Sequence, residues 1–167
     1  GIVKSGKALY IGISNYNREQ TMEAVKLFNE YGTPFIINQR RYSIFDRTIE
    51  NDGLKDYAAS NGIGVLTDRY INGIPEDSRV RTDGRFLKEN AITEEKINRV
   101  KALRKIAAKR GQTLAQMALS WILRAGDITS VLIGASRPSQ ILDNIGCINN
   151  TEFSKEEREA IDNISLI

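Results

Sequence analysis

Apolar positions in this chain fall into short blocks of strand length, separated by longer stretches with helical spacing. Ala8–Ile13 is the first short block, and Pro34–Asn38, Gly62–Leu66 and Val131–Ile133 are three more. Pro34 is tolerated because it opens its strand. After the first block, Asn17-Arg-Glu-Gln20 has the spacing of a capping box, which closes the orphan N–H groups of a helix start. Met22, Val25, Leu27 and Phe28 follow near helical spacing, and Gly32 stops the run. Leu54–Ser60 predicts a short helix. Ile97, Val100, Leu103 and Ala107 form one amphipathic face that ends at Gly111. Leu114, Met117, Ala118, Trp121 and Ile122 recur at i, i+3, i+4, i+7 and i+8, which predicts a buried helix face with Met117 and Trp121 as core. Gln140–Gly146 predicts a short helix with Ile141, Leu142 and Ile145 facing inward. Ser154-Lys-Glu-Glu157 is a second capping box, opening a last helix toward Ile164.

Strand followed by helix, four times over, predicts an α/β fold. Parallel strands need crossover connections, and covering helices supply them. The pattern fits a small doubly wound sheet or half of an eight-stranded barrel. In either, ligands bind beyond the carboxyl ends of the strands. Ser14 and Asn15 follow the first strand, Gln39 and Tyr42 the second, and Gly134-Ala-Ser-Arg137 the fourth. Amides donate and accept at once and suit another amide, whereas a guanidinium beside a helix start suits a phosphate. Each residue also has a plainer reading. Ser14 and Asn15 can begin the turn into the Asn17 cap, Gln39 can be a satisfied rim residue, and Ser136 or Arg137 can cap a helix with Pro138 in its first turn.

Composition narrows the chemistry. The 167 residues carry a net charge of +3 and contain no histidine. The absence of histidine excludes Ser-His-Asp and Cys-His catalysis within the chain, and with one cysteine it argues against zinc. The single Cys147 excludes an internal disulfide framework and fits a reducing cytosol. No dense basic tract with interleaved aromatics suggests nucleic acid, and no apolar run approaches the roughly 20 residues of a membrane span. The first residues have no apolar signal-peptide core, and Asn149-Asn150-Thr151 reads as a chance sequon. A cytoplasmic protein is therefore expected.

Five stretches add a family resemblance: "SGKALYIGISNYN", "INQRRYSIFDR", "LTDRYINGIPEDSR", "LAQMALSWIL" and "TSVLIGASRPSQILDNI". In this order they resemble the C-terminal half of the aldo-keto reductases, NADP-dependent oxidoreductases built on a TIM barrel. The bacterial branch related to voltage-gated potassium channel beta subunits is the most similar. The resemblance implies that the four strands are the last four of the (β/α)8 barrel. It implies that Ser14, Asn15 and Gln39 hydrogen-bond the nicotinamide carboxamide, and that Arg69 and Arg79 approach the cofactor phosphates. It further implies that Gly134, Ser136 and Arg137 hold the adenosine 2′-phosphate, and that Gln140, Asp143 and Asn144 face the adenosine. Asp143 stands where Glu is more usual. Arg137 argues for NADP over NAD, because the extra phosphate rewards a charged partner.

The departures carry equal weight. The family's Asp-Tyr-Lys-His tetrad lies in an N-terminal half that this chain does not match, so no catalytic residue is assigned. Near Val65-Leu66 about ten residues of a cofactor-clasping loop are missing relative to the family. The expectation is one partial barrel domain over residues 1–167, either a portion of a longer protein or a half-barrel fragment. The whole protein is expected to reduce small aldehydes or ketones with NADPH, and this chain alone to be inactive. A redox-sensing NADP-binding regulatory subunit and a self-associating half-barrel are the alternatives, with a homo-oligomer as an open possibility.

Overall fold

The computed structural model describes residues 1–68, 94–135 and 137–166. These divide into two compact units, one of residues 1–68 and 122–138, the other of residues 94–121 and 139–166.

The first unit is organised around a four-stranded sheet of β1 (Ile11–Ser14), β2 (Phe35–Arg41), β3 (Gly64–Asp68) and β4 (Ser130–Leu132), in that spatial order. Every neighbouring pair is parallel, as the alternation of strand and helix predicts. The register is level. Ser14 pairs with Gln39, Gln39 with Leu66, and Leu66 with Ser130, so one row crosses all four strands. β1 begins at Ile11 rather than Ala8, because the ladder to β2 starts where Ile11 N–H donates to the Pro34 carbonyl at 3.0 Å. Leu9 and Tyr10 before it are exposed.

The two faces of the sheet differ. On one, the buried Asn38 amide donates to Thr21 Oγ1 and to the Tyr16 carbonyl, both at 3.0 Å. On the other, Ile37 lies between two glycines. A Cβ at Gly12 would come within 2.6 Å of Ile37 Cγ2, and one at Gly64 would lie 3.5 Å from Ile37 Cγ1.

Helix α1 (Arg18–Glu30) carries the predicted capping box, with Asn17 accepting from Gln20 N–H and Gln20 reaching back to Asn17 N–H. Its buried residues are Thr21 and Ala24, while Met22 and Leu27 are exposed. The buried Asn38 amide explains this rotation. A buried polar group needs a partner, and Thr21 is the helix residue that supplies one. A short helix α2 (Thr48–Asn51) precedes α3 (Leu54–Ser60), which buries Leu54 and Ala58 and is tied by Lys55 Nζ to Asp127 at 2.7 Å.

The other helices are α4 (Glu94–Lys109), α5 (Leu114–Leu123), α6 (Pro138–Ile145) and α7 (Lys155–Ser165), with a 3-10 turn at Gly146–Asn149. α5 buries Met117, Ala118, Trp121 and Ile122 as predicted. α4 buries Leu103 and Ala107 but leaves Ile97 exposed. The inward placement expected of Ile141, Leu142 and Ile145 does not hold. They are 44, 73 and 50% exposed, because a helical period reports an apolar face but not what covers it, and among the described residues nothing does. The predicted capping box at Ser154 and Glu157 is present.

The second unit is tied together by Arg110, whose side chain is 3% exposed. It donates to Glu157 Oε2 at 2.7 Å, to the Asn150 and Glu152 carbonyls at 2.9 Å each, and to Gln112 Oε1 at 2.9 Å. Its guanidinium carbon lies 3.6 Å over the Phe153 ring. Gln112 passes the network on to Ser120 Oγ at 2.8 Å, which donates to the Cys147 carbonyl at 2.7 Å.

Candidate functional site

The register sets Ser14, the last residue of β1, in one row with Gln39, Leu66 and Ser130, and β2, β3 and β4 each run two residues further. Three inter-strand spacings, about 14 Å, separate Ser14 on β1 from Ser130 on β4 along one row. Ser14 shares a sheet face with Gly12, and Gln39 shares one with Ile37, since side chains alternate along a strand. Gly12 and Ile37 meet, so Ser14 and Gln39 point to the same side, opposite Asn38. Ser14 Oγ donates to the Gln39 carbonyl at 3.4 Å, and Asn15 N–H donates to the same oxygen at 2.9 Å. Asn15 has φ 63°, a left-handed conformation that asparagine tolerates better than most residues. This bend turns the chain from β1 toward the Asn17 cap while leaving Ser14 and Asn15 exposed at the rim.

Beneath that rim lies a cluster that sequence reading did not anticipate. Tyr42 is fully buried, and its hydroxyl donates to Glu50 Oε1. Arg124 donates to Tyr42 Oη at 3.0 Å and to Glu50 Oε1 at 2.8 Å, and Arg47 approaches Glu50 at 3.8 Å. Tyr42 therefore packs under the end of β2 rather than lining an opening. Burial raises the Tyr42 phenol above its ordinary value of 10.0, and the Glu50 bond adds to this against the opposing pull of Arg124. The folded chain thus holds the proton more tightly than the unfolded one. Tyr42's contribution to stability is complete below pH about 10 and falls as the pH rises above it.

Gly134 lies two residues past the end of β4, and a Cβ there would meet no atom of the described residues within 4 Å. Among the described residues, packing does not demand glycine at this position. Arg137 is exposed directly before Pro138, which opens α6. Ser136, Arg69 and Arg79 lie outside the described residues. Gln140, Asp143 and Asn144 lie on α6 in the second unit. There Asp143 accepts from Gln116 Nε2 through its carbonyl at 2.8 Å and its carboxylate at 3.2 Å. Gln116 also closes a capping box with Thr113, a Thr-x-x-Gln pattern that the sequence displays but that reading passed over.

The arrangement thus joins Ser14, Asn15 and Gln39 on one rim and sets Gly134 and Arg137 beyond the last strand of the same sheet. That donor set fits a ligand with an amide at one end and a phosphate at the other. Sequence reading also missed a cleft of about 220 Å³ beside Asn15, lined by Arg40, Arg41, Asp46 and Thr48. The consecutive arginines at the end of β2 were its visible signal. Among the described residues there is no group of His, Cys, Asp and Glu able to hold a metal, and no helix long and apolar enough to cross a membrane.

Comparison with known proteins gives consistent matches. The pattern of the aldo/keto reductase family covers residues 1–166. L-glyceraldehyde 3-phosphate reductases of Escherichia coli O157:H7 and of Escherichia coli K12 are each 43% identical over 173 residues, with 96% of this chain covered. The chain spans about half the length of these relatives, 50% in both. A crystal structure of a thermostable aldo-keto reductase in complex with the inhibitor epalrestat superposes with a TM-score of 0.70 at 26% identity, covering 98% of this chain and 51% of that one.

Proposed function

The chain belongs to the aldo/keto reductase family, and from that premise we propose that it supplies the cofactor-binding half of an NADPH-dependent carbonyl reductase. In this reading the four parallel strands are the C-terminal (βα)4 half of a TIM barrel, and the whole protein reduces small aldehydes or ketones. The names of the 43% identical relatives favour a phosphorylated hydroxyaldehyde among these. Bound NADPH would contribute the hydride.

The chain's own residues bind and orient. Ser14, Asn15 and Gln39 present a hydroxyl and two amides that match both the carbonyl and the NH2 of the nicotinamide carboxamide. This fixes which ring face is turned toward the substrate. Gly134 leaves room for close approach, and Arg137 is the cation for the 2′-phosphate, helped by Ser136. Gln140, Asp143 and Asn144 are the proposed adenosine contacts, and Arg69 and Arg79 the proposed phosphate contacts. The single observation that carries the reading is the pairing of Ser14 with Gln39 in one row of a parallel sheet whose last strand, β4, is followed by Gly134 and Arg137.

The experiment is a comparison of NADPH and NADH binding to the chain by titration calorimetry. Arg137→Ala is expected to weaken NADPH by about ten- to a hundredfold, the worth of a charge-assisted hydrogen bond at about 1.5–3 kcal/mol, and to leave NADH nearly unchanged. An equal loss for both cofactors removes the 2′-phosphate assignment.

A further inference from the structure

We propose that the cleft of Asn15, Arg40, Arg41, Asp46 and Thr48 is an anion subsite that takes the phosphate group of a phosphorylated carbonyl substrate. The proposal rests on the cofactor reading above, which places the reacting carbonyl near Ser14 and Gln39.

β2 runs two residues past the level row, to Arg41. Alternation along the strand puts the Arg40 guanidinium on the side of Asn38 and the Arg41 guanidinium on the side of Gln39. The two cations therefore reach the mouth of the cleft from both faces of one strand end. Both are underused. Arg40 Nη2 lies 3.9 Å from Asp52, and Arg41 Nε lies 4.0 Å from Asp46, each beyond the roughly 3.2 Å limit of a good hydrogen bond. Arg40 Nε is buried and has no hydrogen-bond partner among the described residues. A buried donor left so carries a cost that a suitable acceptor would remove.

Asp46 is the carboxylate among the lining residues, and it is already engaged. Its Oδ1 accepts from Thr48 Oγ1 at 2.8 Å and from Thr48 N–H at 3.3 Å. A phosphate dianion offers several oxygens to the forked guanidinium geometry and can replace the loose Arg41–Asp46 contact. The cleft opens beside Asn15, next to the rim that would hold the nicotinamide. A short hydroxyaldehyde with a terminal phosphate could then set its carbonyl at one and its phosphate at the other.

The test is an amide-resolved NMR titration of the chain at low ionic strength, with glycerol 3-phosphate, glycerol, inorganic phosphate and NADPH added separately. Glycerol 3-phosphate and phosphate are expected to shift the amides of Asn15, Arg41, Asp46 and Thr48, and glycerol is not. Arg41→Gln should weaken the glycerol 3-phosphate response by about tenfold or more. Asp46→Asn, which keeps an acceptor for Thr48 but removes the competing charge, should strengthen it. A merely structural cluster would not give these opposite signs. The subsite is overturned if glycerol shifts the same amides equally, or if Arg41→Gln leaves the phosphate response unchanged. It is also overturned if NADPH shifts Arg41 and competes with glycerol 3-phosphate, which would assign the cleft to the cofactor. A glycerol 3-phosphate response without any NADPH response at Ser14, Gln39 or Arg137 supports the subsite while removing the cofactor reading. The reverse removes the subsite alone.

Discussion

Arg110→Ala is expected to destabilise the second unit by about 3–5 kcal/mol, the range for removing one partner of a buried charged network. The side chain is 3% exposed, so solvent screens it little. Its removal takes a donor from Glu157, from the Asn150 and Glu152 carbonyls and from Gln112, and takes the cation from the face of Phe153. The Glu157 carboxylate also accepts from Ser154 N–H in the α7 cap, so the start of that helix should loosen with it. The chain contains a single tryptophan, Trp121, buried in the same unit, so its fluorescence during urea unfolding reads this loss directly. Arg110→Lys should recover little, because an ammonium cannot reproduce the planar fork. A loss under about 1 kcal/mol would mean that the guanidinium is replaceable by water, contrary to its burial.

Glu50→Ala is expected to cost about 2–3 kcal/mol, and to weaken ligand binding at the rim as well. Tyr42, Arg124 and Arg47 all converge on this carboxylate. Glu50 and Arg124 side chains are 24 and 15% exposed, so partial screening keeps the figure below that for Arg110. The cluster anchors the chain three residues after Gln39, and its loss should let the end of β2 drift. NADPH affinity and unfolding midpoint should therefore fall together in Glu50→Ala, while Glu50→Gln, which retains an acceptor for the Tyr42 hydroxyl, should spare more of both. Unchanged affinity in a clearly destabilised Glu50→Ala variant would separate the cluster from the rim.

Local signals carried much of this architecture. The capping boxes at Asn17 and Ser154 are read from four residues each, and both helices begin where they indicate. α3 matches its predicted span of Leu54–Ser60. Parallel pairing followed from the alternation of elements alone. The exact starts of β1 and β4 did not, because a strand begins where its neighbour's carbonyls are, and that is a long-range fact. The buried side of α1 was hidden for the same reason. Thr21 faces inward to meet Asn38, a residue in another element. Arg110 and the Tyr42–Glu50–Arg124 cluster leave no periodic trace, since the partners that close them, Glu157 and Asn150 for Arg110 and Arg124 for Tyr42 and Glu50, lie tens of residues away. Ser14, Asn15 and Gln39 stood out because each comes just after a strand-length apolar block, and Arg137 because it precedes a helix-opening proline; Ser14 in fact ends β1, and Gln39 lies two residues inside the end of β2. Arg40 and Arg41 were equally visible, but an arginine at a strand end reads as a solvated surface until the cleft beside it is seen.

Ile37 between Gly12 and Gly64 has a consequence for anyone redesigning this chain. The three positions share one volume, so they should behave as a coupled set under randomisation. Any side chain at Gly12 meets the Ile37 methyl, and the clash is relieved only if position 37 shrinks at the same time. Libraries that vary position 12 alone should return glycine, whereas paired libraries at 12 and 37 should admit alanine at 12 only together with a smaller residue at 37. Backbone limits the exchange at both glycines, since a Cβ at Gly12 would lie 3.2 Å from the Ile37 carbonyl and one at Gly64 3.1 Å from the Ile36 carbonyl, and backbone does not shrink.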